Sequence, residues 1–185
     1  MESGHRTRTR RAILDAAIRL WGRDPSASLG DVAAEAQVGR TTVHRYFADR
    51  ESLLTAVTVD VAEQVVGAAA RARLDDGTAP EALRRLVHEY FDLGDVLSLL
   101  FTGTVSVDDA VWERLSGRCT TLADLVERGH REGTLDTELP AVWIENVTWS
   151  NLYAAWELLR TSDLGKPEVV RVMLRCLTRG VSAQA

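Results

Sequence analysis

Apolar residues recur at helical spacing along nearly the whole chain, and no stretch alternates as a half-buried strand requires. Over residues 9–22 the set Ile13, Ala16, Ala17, Leu20 and Trp21 shares one face and predicts a first helix. Residues 1 to about 7 lack any such period and read as a disordered arm leading into Arg-Thr-Arg-Thr-Arg-Arg. The next helix is short, 31–36, and its Val32, Ala33 and Ala36 form a narrow inward stripe of small residues. Ser28 is suited to cap it through its hydroxyl, with Asp31 reaching back to the N–H of the cap. Gly39 opens a third helix in which Val43 and Phe47 are the inward residues, one turn apart.

The rest of the chain continues in longer helices. Leu53, Leu54, Val57, Val61, Val65 and Ala68 predict one over 49–73, broken by Asp75-Asp76-Gly77-Thr78. Pro80 starts the next, 81–93, with Leu83, Leu86, Val87, Tyr90 and Phe91 inward, and a short helix over 95–101 follows Gly94. After Thr102-Gly103-Thr104, Ser106 and Asp109 read as a capping box for a helix of about 24 residues carrying Val111, Trp112, Leu115, Cys119, Leu122 and Val126 and stopping at Gly133. Residues 140–161 are apolar on two sides, with Asn146, Trp149, Tyr153 and Trp156 on one and Val147, Leu152, Ala155 and Leu159 on the other. A last helix, 168–179, carries Val169, Val170, Met173, Leu174 and Leu177. The fold class expected is all-α, about nine helices with no repeat.

Composition changes this picture little: 45% apolar and 26% charged residues with four prolines describe a helix-rich globular chain. No apolar run approaches the roughly 20 residues that span a bilayer, and the charged start is unlike a signal sequence, so a cytoplasmic protein without a membrane partner is expected. Cys119 and Cys176 lie far apart, outside any metal-binding spacing, and read as small buried apolar residues. His5, His44, His88 and His130 have no Ser, Cys or carboxylate spaced to orient a nucleophile, the His88-Glu89 neighbours apart, and no glycine-rich phosphate loop occurs. No enzyme activity, metal or cofactor is expected. Charge is more informative, because residues 1–50 hold nine arginines against six carboxylates, a net +3, which leaves −8 for the remainder. A basic head on an acidic body suits contact with polyphosphate at one end only.

The candidate chemistry lies at 28–47. Two short helices joined by a tight turn form a helix-turn-helix, and the second turns Arg40, Thr41, Thr42, His44 and Arg45 outward, cations and hydroxyls suited to phosphates and base edges. An amphipathic hairpin on any helical surface has the same pattern. The stretches Asp31-Val32-Ala33, Ala36, Val38, Thr42-Val43-His44-Arg45-Tyr46-Phe47, Asp49-Arg50-Glu51 and Leu53-Leu54 resemble the signature of the TetR (tetracycline repressor) family, over about the first fifty-five residues. The resemblance implies a three-helix DNA-binding domain at 1–48 and a helical effector-binding and dimerisation domain at 49–185. It also implies a homodimer on double-stranded operator DNA. Carried over residue by residue, it places Ser28 against a phosphate, Arg40, Thr41, Thr42, His44, Arg45 and Tyr46 on the reading helix, and Arg50 on a phosphate at the start of the fourth helix. His44 stands where Tyr is usual. Gln37 stands where the turn generally has Gly, so a positive φ would be costly there. The arginine arm is either a solvated tail or orders on DNA through Arg8, Arg10 or Arg11; phosphate contact by at least one of them, Arg10 among the site candidates, is the reading favoured.

For an effector the candidates are side chains with an apolar body and a polar tip or flat ring: Tyr90, Phe101, Trp112, Asn146, Trp149 and Tyr153. Any one of them also suits plain core. Together they point to a flat, hydrophobic or aromatic small molecule, and the last two helices, about 140–181, offer apolar surface for a two-fold partner. Repression is the family's usual outcome, though no residue distinguishes a repressor from an activator. A dimeric helical scaffold without an effector is the alternative, against which the nine head arginines argue.

Overall fold

The computed structural model describes residues 2–116 and 120–182. Among the described residues ten helices run in order: α1 (Glu2–Trp21), α2 (Leu29–Glu35), α3 (Arg40–Tyr46), α4 (Arg50–Ala72), α5 (Ala79–Phe91), α6 (Asp95–Phe101), α7 (Asp109–Ser116), α8 (Leu122–Arg131), α9 (Ala141–Thr161) and α10 (Lys166–Val181). The only extended pairing among the described residues is one isolated antiparallel bridge between Leu135 and Ser182. The chain packs as two units, one of residues up to Gln64 with Asp95–Leu115 and one of Val65–Gly94 with residues from Ser116 onward. By packing, then, the division falls inside α4, and α6 and α7 belong with the first three helices.

In the first unit Ile13, Leu14, Ala17 and Trp21 of α1 are buried with Val32, Ala33, Val43, Phe47, Leu53 and Val57. Burying these side chains, at roughly 1.5–3 kcal/mol for each large one, is what holds α2 and α3 in place, since helices of seven residues are marginal alone. Polar clamps set the angles. Arg11 of α1 binds Asp60 of α4, whose second oxygen accepts from Arg11 at 2.9 Å and from Gln64 at 2.8 Å. The same guanidinium binds Asp15, and the hydrogen bonds to Asp60 and then Asp15 push its pKa further above an already high value. The fully buried Ser98 of α6 donates to the Gly22 carbonyl at 2.7 Å. A side chain at Gly22 would stand 3.0 Å from the Ile18 carbonyl and 3.2 Å from that of Asp95, so glycine is what lets α6 approach.

The second unit packs α5, α8, α9 and α10 around Leu83, Leu86, Val87, Leu125, Val126, Ile144, Leu152, Val169, Met173 and Leu177. Thr78 with Glu81 and Thr121 with Asp124 form capping boxes at the starts of α5 and α8. Arg85 closes the end of α4 by donating to the carbonyls of Ala72, Arg73 and Asp76.

Several expectations need correction. The arm is helical from Glu2, because α1 simply extends toward the terminus; its residues 4–8 are exposed. The single helix expected from Ser106 is two, α7 and α8, and Thr121 begins the second with its own capping box. The start of α7 is capped by Asp108, whose Oδ1 accepts from the Val111 N–H at 2.8 Å, and not by Ser106 with Asp109. Cys119 lies outside the described residues, and Cys176, expected inside, is exposed on α10. By length and composition α4 is long and apolar enough to cross a membrane, although no uninterrupted apolar run in it approaches 20 residues. Its buried Leu53, Val57 and Val61 and the Asp60–Arg11 pair account for that composition as a core helix.

Candidate nucleic-acid interface

The helix-turn-helix is built as its residues suggest. Ser28 sits in extended backbone before α2; its hydroxyl accepts from the Asp31 N–H at 3.2 Å and donates to the Asp31 carboxylate at 2.7 Å, while its own N–H donates to that carboxylate at 2.8 Å. These bonds, the hydroxyl's first and the N–H's second, hold the Asp31 carboxyl below its ordinary pKa. At the other end of α2 the Val38 N–H reaches the Ala33 carbonyl at 2.9 Å and the Gln37 N–H that of Ala34 at 3.0 Å. That is the Schellman pair, with Gln37 at φ 55° where glycine is usual. Gly39 then enters α3 with extended backbone and no side-chain cap.

Val43 is fully buried and Phe47 nearly so, which turns Arg40, Thr41, His44 and Arg45 to solvent and leaves Thr42 and Tyr46 half-buried. Three of the cations in this region rest on neighbours. Arg40 lies across Gly30, where a Cβ would meet its Nε at 3.1 Å. Arg45 lies 5.5 Å over the Tyr46 ring, and Arg10 of α1 5.5 Å over that of Phe47. Seating costs less rotamer freedom on binding than a wholly mobile stem would. The Nδ1 of His44 is 3.2 Å from the Ala48 carbonyl oxygen. No acid lies in the first turn of α3.

Arg50 and Ser28, expected at phosphates, and Arg11, one of three alternatives in the arm, also bond within the head. Arg50 points inward, donating to the Ala27 carbonyl at 2.9 Å and the Pro25 carbonyl at 2.6 Å while stacking 4.5 Å over Trp21. Arg11 is held by Asp15 and Asp60, and the Ser28 proton is given to Asp31. Of the side chains named for an effector, Tyr90 and Trp149 come together as a stacked pair, centroids 5.1 Å apart. Burial pushes the Tyr90 hydroxyl up to about 12. Tyr153 is 45% exposed and tilted against Trp156, and Asn146 is exposed. Phe101 and Trp112, both half-buried, belong to the first unit, and the other four to the second. A recess of about 490 Å³ in the second unit, lined by Arg71, Glu81, Arg84, Arg85, His88 and Glu89, holds none of the six. Its Arg71–Glu89 pair at 2.7 Å and the carbonyl-bound Arg85 make it a poor seat for an apolar ring.

Sequence reasoning overlooked Glu145, one turn before Trp149, whose carboxyl is raised by burial and then by the nearby Glu127. It also overlooked Gly30, the seat of Arg40. The spacing to Trp149 would have found the first; only the fold shows the second.

A closed three-helix head whose third helix turns arginines, hydroxyls and an imidazole outward defines a DNA-binding regulator of the helix-turn-helix class. The family model for bacterial regulatory proteins of the tetR family matches residues 13–57. The chain is 35% identical over 182 residues to the HTH-type transcriptional repressor LfrR of Mycolicibacterium smegmatis, covering 98% of this chain and 94% of that one. The crystal structure of the TetR-like regulator LfrR from Mycobacterium smegmatis in complex with proflavine is 34% identical, with a TM-score of 0.75 over 95% of this chain and 97% of its own. A TetR family regulator from Marinobacter aquaeolei VT8, 22% identical, has the same fold with a TM-score of 0.75 over 100% of both chains. This chain belongs to the TetR family of bacterial transcriptional regulators. Members of that family are DNA-binding regulators, not enzymes; they bind operators as homodimers and respond to small molecules.

Proposed function

We propose that this chain is a cytoplasmic repressor that binds a palindromic operator as a homodimer and is released by a flat, largely hydrophobic or aromatic effector. The observation that carries the reading is α3: a buried Val43, an outward set of donors, and no acid in its first turn. Arg40, Thr41, Thr42, His44, Arg45 and Tyr46 face the major groove, with Arg10 laid on phosphate from α1. Ser28 and Arg50 brace the head, their hydrogen bonds being committed inward. In functional terms residues 1–48 read DNA, and 49–185 pair the subunits and take the effector.

The partner copy is expected on α9 and α10. Val142, Trp143 and Tyr153 of α9 are 64%, 55% and 45% exposed, apolar surface of the kind two-fold interfaces cover. The effector is expected beside the Tyr90–Trp149 stack; LfrR was crystallised with proflavine, a flat three-ring molecule. In the bound state the two copies of α3 stand one duplex turn apart, roughly 34–36 Å. Effector binding moves α4, which runs from one packing unit into the other, and the two half-sites are no longer met together.

The test is a mobility shift on a duplex selected from random DNA, with and without proflavine. Arg45→Ala or Arg40→Ala is expected to weaken binding by roughly 1–3 kcal/mol. Unchanged shifts for both would show that α3 is not the reading helix. Failure of proflavine and related rings either to release DNA or to quench tryptophan fluorescence would remove the effector class.

A further inference from the structure

We propose that His44 is a specificity-determining residue that reads an amino base, selecting adenine or cytosine over guanine or thymine on the strand it faces in each half-site. The inference rests on α3 being the reading helix. His44 is exposed on α3, and its Nδ1 lies 3.2 Å from the carbonyl oxygen of Ala48, one turn further on. A carbonyl oxygen can only accept, so in the neutral ring the proton sits on Nδ1. Nε2 is left as a lone pair on an exposed side chain.

The neighbouring chemistry makes that lone pair distinctive. Arg40 and Arg45, the cations of α3, can only donate, and they match guanine O6 and N7, thymine O4 or phosphate. The helix holds no carboxylate, Asn or Gln, and the hydroxyls of Thr41, Thr42 and Tyr46 both donate and accept, so only His44 Nε2 offers an acceptor that cannot donate. The donors on base edges in the major groove are adenine N6 and cytosine N4. An Nε2 lone pair is matched to either and repelled by the keto oxygen of guanine or thymine in the same place. A tyrosine hydroxyl, which rotates to donate or accept, would make no such distinction. The Ala48 carbonyl therefore turns an ambidextrous ring into a one-sided reader.

The test begins with an operator selected from random duplexes by the full-length protein, followed by exchange of each base pair in turn. At one position per half-site, replacing an amino base by a keto base is expected to weaken binding about tenfold. His44→Phe is expected to erase that preference and keep the rank order elsewhere, and His44→Arg to reverse it in favour of guanine. Independently, nitrogen-15 NMR of the free protein at about pH 8 is expected to show an Nδ1–H imidazole. An Nε2–H or doubly protonated ring overturns the inference. So does a selective operator at which residue 44 affects no amino–keto choice, or uniform weakening of all sequences with a shallower salt dependence, the mark of a phosphate contact. A wild-type protein that prefers no duplex at all, with the Nδ1–H ring present, instead removes α3 as the reading helix, and the two failures are thereby told apart.

Discussion

Replacing Arg50 by alanine separates two roles that one arginine can have at this point in the fold. Its guanidinium donates to the carbonyls of Ala27 and Pro25 and lies on Trp21, so its removal strips three contacts from the link between α4 and the α1–α2 connection. The losses are unequal. The Ala27 carbonyl keeps the Trp21 indole N–H at 3.1 Å as a partner, and that of Pro25 is exposed enough for water to replace the donor. Charge-assisted bonds of this kind together with the cation–π contact put the cost at about 2 kcal/mol. Arg50→Lys is expected to recover about half of it, since one ammonium cannot reproduce the fork and the stack. Urea melts followed by tryptophan emission measure the stability, and mobility shifts over a salt series measure the DNA contact. The expected result is a lower midpoint with the salt slope unchanged. An unchanged melt with the slope reduced by about one would make Arg50 a phosphate contact and refute the bracing role.

Three other outcomes follow from the geometry. Gln37→Gly relieves a left-handed backbone position at φ 55° and is expected to stabilise by about 0.5–1 kcal/mol in a thermal melt; no gain would mean that the Gln37 side chain repays its strain. Ser98→Ala leaves the Gly22 carbonyl without the hydroxyl donor in a buried joint and is expected to cost about 1–2 kcal/mol, with faster amide exchange in α6; unaltered exchange would show that the bond holds nothing. The Asp31 and Asp124 carboxyls lie below their ordinary values because Ser28 and Thr121 hydrogen-bond their charged forms. Their contribution is full above the unfolded value, near about 3.9, and disappears as pH falls through the lower folded ones. Acid titration monitored by amide exchange is expected to loosen the starts of α2 and α8 only below about pH 4, and loosening near neutrality would contradict it.

What the chain disclosed in advance was local. The Ser28–Asp31 box, the bounds of α6 and the stop at Gly133 all depend on residues within a few positions of one another. The misread parts depended on distant partners or on choices between equal caps. Asp108 and Ser106 are both good helix starters, and only the backbone shows which is used. The bonds that Arg11 and Arg50 make within the head were not legible because Asp60 lies 49 residues from the one, and the Pro25 carbonyl 25 from the other. Helical periodicity put Trp149 and Tyr153 on one side of α9, yet Tyr90 covers the first and 45% of the second is exposed. A period gives a face; it does not give the neighbour that covers it.

The hydroxyl of Ser98 against Gly22 has a consequence for any attempt to excise the reading head. The residues that complete its packing return after an excursion of thirty residues through the other unit, between Gln64 and Asp95. A fragment truncated after α4 would expose the groove along α1 that α6 fills, with the Gly22 carbonyl stranded in it. The head is thus no detachable module: it depends for its own integrity on a segment encoded well downstream.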